Sequence, residues 1–302
     1  MKNILFSKIS DGYPTLTKQI FSLIHSILWA KNTNKKIILL DYFISENIKI
    51  PCNEVFDIDK LNKDLAQFEV VVLDKTTIEY KINALLFNDN NKIVDKSDKI
   101  DKIIDPPSTV KEIFINYSIN GITFSETYPR MKMNTDINLY AYTYFTGWIN
   151  EIDQDLFNTM IMNIEFKDYL KSKVKTGNII HILNEELLVF SQKKNVNPIE
   201  YQTKLNNTYI HIINEHMNKN DEIILISNSK NDTIINFLNE NKYNYKYEIT
   251  DNSFKQIEIL YYQCNIFVGN FNIETLIGDA YSYYLSNKIK CKKKIMLDIT
   301  NL

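Results

Sequence analysis

The chain has 302 residues, of which 44% are hydrophobic and 24% charged, a balance typical of folded globular proteins. Its formal net charge of −2 and isoelectric point near 6.1 exclude a broad basic face, so we expect no nucleic-acid partner. No run approaches the about 20 apolar residues that span a bilayer, so we expect no membrane association.

The first forty residues predict a βαβ unit. Residues 2–7 form an apolar run typical of a buried strand. After a glycine-containing turn, Thr15 or Thr17 can cap a helix whose apolar residues recur at helical spacing. Residues 36–40 predict a second strand. A strand, a crossover helix and another strand imply a parallel sheet.

The alternation continues with a short helix at residues 59–67 and a strand at 70–73, whereas residues 76–147 are less regular. A charged helix or linker at residues 165–175 then marks a domain boundary. We therefore predict an N-terminal domain, residues 1–168, and a C-terminal domain, residues 169–302.

The C-terminal domain alternates strands and helices regularly. Asn197 and Pro198 are typical of a helix N-terminus, because Asn can cap and Pro suits the first turn. Strands are predicted at 179–182, 222–226, 245–249, 265–268 and 295–297, and helices at 197–217, 232–239, 254–262 and 273–285. Five strands interleaved with helices predict an open α/β sheet of the nucleotide-binding type.

Three polar segments follow strands of this sheet, at residues 181–186, 227–230 and 269–272. In open parallel sheets, ligands bind outside the carboxyl ends of the strands, where these segments would meet. Ser227 and Ser229 supply hydroxyls, and Gly269 allows close backbone approach. Together the segments predict a nucleotide pocket. Singly, each has a structural alternative, since Ser-Asn-Ser is typical of turns and caps and glycine of tight turns.

Two segments resemble the fucosyltransferase-like GT-B glycosyltransferases, in particular the branch encoded by large DNA viruses. Residues 12–21, Gly-Tyr-Pro-Thr-Leu-Thr-Lys-Gln-Ile-Phe, are similar to the first loop of that family. Residues 179–186, Ile-Ile-His-Ile-Leu-Asn-Glu-Glu, are similar to its His-x-Arg-x-Glu segment. The resemblance implies two Rossmann-like α/β domains facing across a cleft. It also implies inverting, metal-independent transfer from a GDP-sugar such as GDP-fucose to a hydroxyl of a glycan or protein, without a cofactor.

The resemblance also implies roles for individual residues. The family's donor-binding His and Glu correspond to His181 and Glu185, and Leu183 stands where the family has an arginine that can bind a diphosphate through forked hydrogen bonds. From the residues alone, Glu185, with Glu186, is a candidate general base, and the alternative is a solvated pair of carboxylates at the strand end. The family's late Gly-Ser-Ser-Phe-Ser tract corresponds to residues 278–282, where Asp279 adds a carboxylate and Ser282 keeps its hydroxyl. The predicted donor-binding residues are Gly12, Tyr13, Lys18, Gln19, His181, Ser227, Ser229, Lys230, Gly269, Asn270, Asn272 and Ser282.

Two functions are consistent with this sequence. One is an active glycosyltransferase of the fucosyltransferase type, favoured by the retained segments 12–21 and 269–272. The other is a degenerate copy that binds a sugar, a nucleotide or a protein, favoured by Leu183 and Asp279. If the pocket is otherwise preserved, Leu183→Arg should strengthen nucleotide binding.

We predict no metal site. The Asp-x-Asp sequences at residues 57–59 and 153–155 lie where helices are predicted to begin, and acidic first turns are common there. His211 and His216 are five residues apart on one predicted helix and do not share a face.

The three cysteines, Cys52, Cys264 and Cys291, are widely spaced and form no CxxC pair. This predicts inert thiols in a reducing compartment, the cytoplasm. If the chain is viral, the expected location is the host cytoplasm or the virion.

Overall fold

The structure is a computed structural model that divides into two compact units, residues 1–167 and 168–302. The described residues are 2–9, 15–32, 37–40, 42–74, 116–119, 122–125, 131–132, 137–143, 154–171, 175–183, 191, 196–250, 252–272, 277–278 and 280–299. Among them, no helix is both long and apolar enough to span a membrane.

The first unit is built from nine described strands and four described α-helices. The strands are β1 (Lys2–Lys8), β2 (Ile37–Leu40), β3 (Tyr42–Ser45), β4 (Ile48–Pro51), β5 (Val71–Leu73), β6 (Asn116–Ile119), β7 (Ile122–Ser125), β8 (Met131–Lys132) and β9 (Ile137–Thr143). The helices are α1 (Leu16–Asn32), α2 (Cys52–Val55), α3 (Ile58–Leu65) and α4 (Gln154–Asn163), with a 3-10 turn at Ala66–Phe68.

The main sheet of this unit has the strand order β5-β2-β1-β9-β8. Strand β1 runs parallel to both β2 and β9, and β2 runs parallel to β5, whereas the two-residue β8 is antiparallel to β9. The parallel sheet predicted from the βαβ pattern is confirmed. Its helix α1 begins where the Thr15 hydroxyl accepts a hydrogen bond from the Lys18 backbone N at 3.3 Å.

Two antiparallel hairpins of the first unit were not predicted. In the β3–β4 hairpin, Glu46 and Asn47 both adopt positive φ, at 50° and 66°. This conformation suits a two-residue hairpin loop, but glutamate is an unusual residue for it and no glycine marks the turn. The other hairpin joins β6 and β7.

The second unit continues with seven strands and four α-helices among its described residues. The strands are β10 (Thr176–His181), β11 (Ile223–Ser227), β12 (Tyr245–Ile249), β13 (Gln263–Gly269), β14 (Phe271–Asn272), β15 (Ile277–Gly278) and β16 (Lys290–Met296). The helices are α5 (Pro198–His216), α6 (Asp232–Glu240), α7 (Ser253–Ile259) and α8 (Ala280–Lys288), with a 3-10 turn at Asp168–Leu170.

The second sheet is parallel throughout and has the order β12-β11-β10-β13-β16. Numbered along the chain, its strands lie in the order 3-2-1-4-5, which is the order of a Rossmann-like sheet. A buried apolar cluster packs between this sheet and α5 and α6, with members such as Ile180, Leu205, Tyr209 and Leu225. The predicted α/β fold with parallel sheets is confirmed.

One predicted helix boundary was wrong. The helix expected at 273–285 begins at Ala280, because residues 277–278 pair with Phe271–Asn272 as an antiparallel ladder. In the segment at 165–175, predicted as a charged helix or a linker, Phe166 bridges to Phe56 and a 3-10 turn follows at Asp168–Leu170.

Candidate functional site

The second sheet has a topological switch point between β10 and β13. These strands lie side by side, with Ile180 paired to Val268, while the chain continues from β10 to β11 on the opposite side. In Rossmann-like sheets, the carboxyl ends of such strands form the crevice in which a ligand binds. Here those ends carry His181 and Asn270, two residues of the predicted donor-binding set.

Asn270 links the two carboxyl ends directly. Its side-chain Nδ2 donates to the His181 carbonyl oxygen at 2.9 Å, and its backbone N donates to the Ser282 hydroxyl at 2.8 Å. Asn270 and Ser282 are fully buried. The structure therefore brings His181, Asn270 and Ser282 together, and it gives Asn270 and Ser282 a role in fixing the two strand ends.

Tyr209 of α5 completes this network. Its hydroxyl donates to the His181 carbonyl oxygen at 3.1 Å and accepts from the Leu183 backbone N at 3.3 Å. The His181 ring is 3% exposed and lies edge-on to the Tyr281 ring, 5.4 Å between centroids. Sequence reasoning missed Tyr209 and Tyr281, because tyrosines at buried helix positions are usually read as apolar packing.

Leu183 is a core residue. It is 3% exposed and belongs to the apolar cluster that also contains Ile182, Tyr201 and Tyr209. A guanidinium at this position would have to be buried among apolar side chains or force the backbone to shift. The leucine at this position therefore contributes to the packing of the apolar cluster.

The 227–230 segment is held mainly by its own hydrogen bonds. The buried Ser227 hydroxyl accepts from the Ser229 backbone N at 3.4 Å, and the Tyr247 hydroxyl donates to the Ser229 carbonyl oxygen. Asn231 caps α6 by accepting from the Ile234 backbone N at 3.2 Å. This geometry matches the turn-and-cap alternative for Ser227 and Ser229.

Lys230 belongs to the same segment but is exposed. It lines a pocket of about 250 Å³ together with Gln202, Asn206, Asn231, Asp232 and Thr233. Its charge is therefore available beside the first turn of α6.

Gly269 serves the packing of α8. A Cβ atom at this position would lie 2.6 Å from the Ser282 hydroxyl oxygen, 2.8 Å from the Phe267 ring and 2.9 Å from the Met296 sulfur. The glycine is needed because these side chains approach the backbone closely. The predicted role of Gly269 in the approach of a ligand stays a prediction.

Gln19 of the first unit is also structural. It is fully buried, its Oε1 accepts from the Ile44 backbone N at 2.7 Å, and its Nε2 donates to the Ile44 carbonyl oxygen at 2.9 Å. Both ends of the amide are thus engaged by strand β3. Lys18, the neighbouring predicted donor residue, is half-buried at the start of α1.

Several predicted site residues lie outside the described part of the structure. They are Gly12, Tyr13, Glu185 and Asp279, together with the Asn272 side chain. Their assigned roles stay predictions.

The first Asp-x-Asp sequence and the histidine pair, both considered as metal ligands, have other local roles. Asp57 caps α3 by accepting from the Lys60 backbone N at 3.1 Å. His211 and His216 both pair with Glu215, at 3.3 and 3.7 Å. Within the described ranges, no three His, Cys, Asp or Glu side chains are grouped so as to hold a metal ion.

No family model and no curated protein matches this sequence. Crystal structures of POFUT1 do match its fold. The complex with GDP aligns with a TM-score of 0.53 over 98% of both chains, at 9% sequence identity. The complex with GDP-fucose aligns with a TM-score of 0.54 over 98% of this chain and 97% of the other, also at 9% identity. The chain therefore shares the fold of POFUT1 over nearly its whole length.

Proposed function

We propose that this chain binds a GDP-sugar of the GDP-fucose type at the carboxyl edge of β10 and β13 and transfers the sugar to a hydroxyl acceptor. The main support is the likeness to POFUT1 structures that contain GDP and GDP-fucose. The switch point at His181 and Asn270 lies where a Rossmann-like sheet binds nucleotides. The proposal includes a GT-B arrangement, a cytoplasmic location and kinship with the branch encoded by large DNA viruses.

In this proposal, the acceptor hydroxyl attacks the anomeric carbon as GDP departs, which inverts the configuration. The reaction needs a base for the hydroxyl proton and positive charge near the leaving diphosphate. Glu185 is our candidate for the base. Lys230 is our candidate cation, because it is exposed beside the edge of the sheet and Leu183 carries no charge. A lysine provides a point charge without the forked geometry of arginine.

A second function, binding without transfer, is favoured by the burial of Leu183. A charge-assisted hydrogen bond contributes roughly 1.5–3 kcal/mol, so loss of the family arginine should weaken diphosphate binding about ten- to a hundred-fold. Such a chain would keep the fold and bind a nucleotide weakly or another ligand instead.

Calorimetry with GDP and GDP-fucose, followed by an assay of donor hydrolysis, distinguishes these functions. GDP binding with measurable hydrolysis supports the transferase, whereas binding without hydrolysis supports the degenerate binder. If calorimetry detects no heat of binding at millimolar GDP, the proposal of a guanine-nucleotide site is wrong.

A pair of variants locates the site. His181→Gln should weaken GDP binding, because His181 lies at the proposed crevice, whereas His211→Gln should leave it unchanged, because His211 is an exposed residue of α5. Circular dichroism checks that both variants fold. Equal affinities for GDP in the two variants would place the nucleotide elsewhere.

A further inference from the structure

Cys264 and Cys291 lie side by side in the second unit, although 26 residues separate them in sequence. They are register partners on the neighbouring parallel strands β13 and β16, and neither forms a disulfide in this structure. Gly177 of β10 is the register partner of Cys264 on its other side. The sequence spacing did not predict that these two cysteines are neighbours.

The two thiols line a pocket of about 440 Å³ at the amino ends of β10, β13 and β16. This is the edge of the sheet opposite to His181 and Asn270, so the pocket is separate from the proposed nucleotide site. Lys290, Lys292, Gln263 and Asn265 also line it. Lysines and amides beside two thiols favour a small anionic ligand that can react with sulfur.

The two thiols differ in their exposure to solvent. Cys264 is 7% exposed, and its pKa is raised by burial and by the adjacent Cys291, an effect that Lys294 partly opposes. Cys291 is half-buried on the edge strand β16, where its thiol donates to the Lys293 carbonyl oxygen at 2.8 Å and to the Asn265 carbonyl oxygen at 3.4 Å. Because the disulfide must reach the attacking sulfur, the more exposed Cys291 should react first.

We propose that Cys291 and Cys264 form a thiol–disulfide exchange site for small anionic disulfides of the glutathione type. The Cys291 thiolate attacks one sulfur of the disulfide RSSR, forming a Cys291–SR mixed disulfide and releasing RS⁻, which takes up the proton lost by Cys291. The Cys264 sulfur then attacks the Cys291 sulfur and releases the second RS⁻, which takes up the Cys264 proton. Two cysteine thiols are oxidised to one disulfide, and RSSR is reduced to two RSH.

The strand geometry allows this bond. Neighbouring strands lie about 4.8 Å apart, and Cα atoms joined by a disulfide are usually about 4.4–6.8 Å apart. A disulfide at a partly exposed sheet edge is open to reduction by small thiols, so the modification should be reversible.

Intact mass spectrometry of the full chain after exposure to oxidised glutathione tests the proposal. We expect a product that has lost two hydrogens, with a cross-linked Cys264–Cys291 peptide and a chemically unmodified Cys52, which is fully buried in the first unit. In the Cys264→Ser variant, the reaction should stop at the mixed disulfide, with one glutathione attached to Cys291. Cys291→Ser should prevent both steps, whereas Cys52→Ser should behave as the unsubstituted chain.

The charge of the probe provides a second readout that does not need a variant. The cationic disulfide cystamine should react several-fold more slowly than oxidised glutathione, because Lys290 and Lys292 line the pocket. The proposal is overturned if the unsubstituted chain accumulates only the mixed disulfide, if Cys52 reacts as fast as Cys291, or if cystamine reacts as fast as oxidised glutathione.

Discussion

At the scale of single residues, Leu183 shows that a position assigned to donor binding by sequence resemblance can belong to the apolar core. Its side chain packs in the apolar cluster, while its backbone N donates to the Tyr209 hydroxyl that also donates to the His181 carbonyl oxygen. Residue 183 thus contributes to the support of the strand end from which His181 projects. A change of its side chain should have a larger effect on the free energy of unfolding than on ligand affinity.

Leu183→Arg should lower the free energy of unfolding by about 3 kcal/mol, because it places an unpaired charge among apolar side chains. The volume-conserving control Leu183→Met should lower it by less than about 1.5 kcal/mol. Urea unfolding of both variants measures the difference. This destabilisation means that the arginine variant would strengthen nucleotide binding only if its side chain left the core. Equal stability of the two variants would contradict the placement of Leu183.

Gln19 makes a different kind of residue-scale prediction. Gln19→Met keeps a similar volume but leaves the Ile44 backbone N and carbonyl oxygen without their side-chain partner. We expect the free energy of unfolding to fall by about 2 kcal/mol, the usual cost of a buried polar group left unsatisfied. Lys18→Met, at the adjacent half-buried position, should change it by less than about 0.5 kcal/mol. Chemical denaturation of the two variants should therefore separate them clearly.

At the scale of elements, an ion cluster ties α7 and β12 to the start of β10. Glu248 is 9% exposed and accepts from Lys175 at 3.0 Å, from Lys255 at 2.9 Å and from the Tyr262 hydroxyl at 2.9 Å. Glu258 joins the cluster through Lys255 at 3.0 Å. A buried carboxylate with three donors is satisfied as long as every donor stays in place.

Glu248→Gln should lower the free energy of unfolding by about 2 kcal/mol near neutral pH, because it removes one of the two carboxylates that pair with Lys175 and Lys255 and leaves Glu258 as the other. The matched control is Glu222→Gln, which breaks the more exposed pair with Lys246 and should cost about 0–1 kcal/mol. Urea denaturation at neutral pH measures both changes. A cost for Glu248→Gln no larger than that of the control would contradict a stabilising cluster.

The pH dependence of this cluster has a definite sign. Burial alone would raise the pKa of Glu248, but hydrogen bonds from Lys255, Lys175 and Tyr262 outweigh it and hold the pKa below 4.5. Its contribution to stability is therefore complete above pH 4.5 and is lost as the pH falls through the lowered value. The stability difference between the unsubstituted chain and Glu248→Gln should shrink only in that acidic range. A difference that disappeared between pH 5 and 7 would contradict this assignment.

The elements that sequence could predict are those with local signals. Asn197 and Pro198 mark the start of α5, and the apolar runs of β10, β11 and β13 mark a parallel sheet. The prediction that His181 and Asn270 lie at the carboxyl ends of their strands followed from that sheet. The β3–β4 hairpin could not be predicted, because its loop lacks glycine, and the pairing of Gln19 with Ile44 depends on that hairpin. The pairing of Cys264 with Cys291 depends on the strand register, which no local pattern encodes.

At the scale of the whole molecule, the second unit has the parts of an independent domain. Its five-stranded sheet, its own apolar cluster and the capped helices α5, α6 and α7 all lie within residues 168–302. A domain of this size can bury enough apolar surface to fold alone. The network of Tyr209, His181, Asn270 and Ser282 also lies wholly inside it.

We therefore expect residues 168–302, expressed alone, to fold cooperatively and to retain a share of any GDP affinity that the full chain has. Circular dichroism should show α/β structure with a single unfolding transition, and near-ultraviolet signals should report fixed packing of its tyrosines. Introducing Leu183→Arg into this fragment is the control, since it should lower the transition midpoint as we expect in the full chain. A fragment that lacks a cooperative transition would show that the core of the second unit depends on residues 1–167.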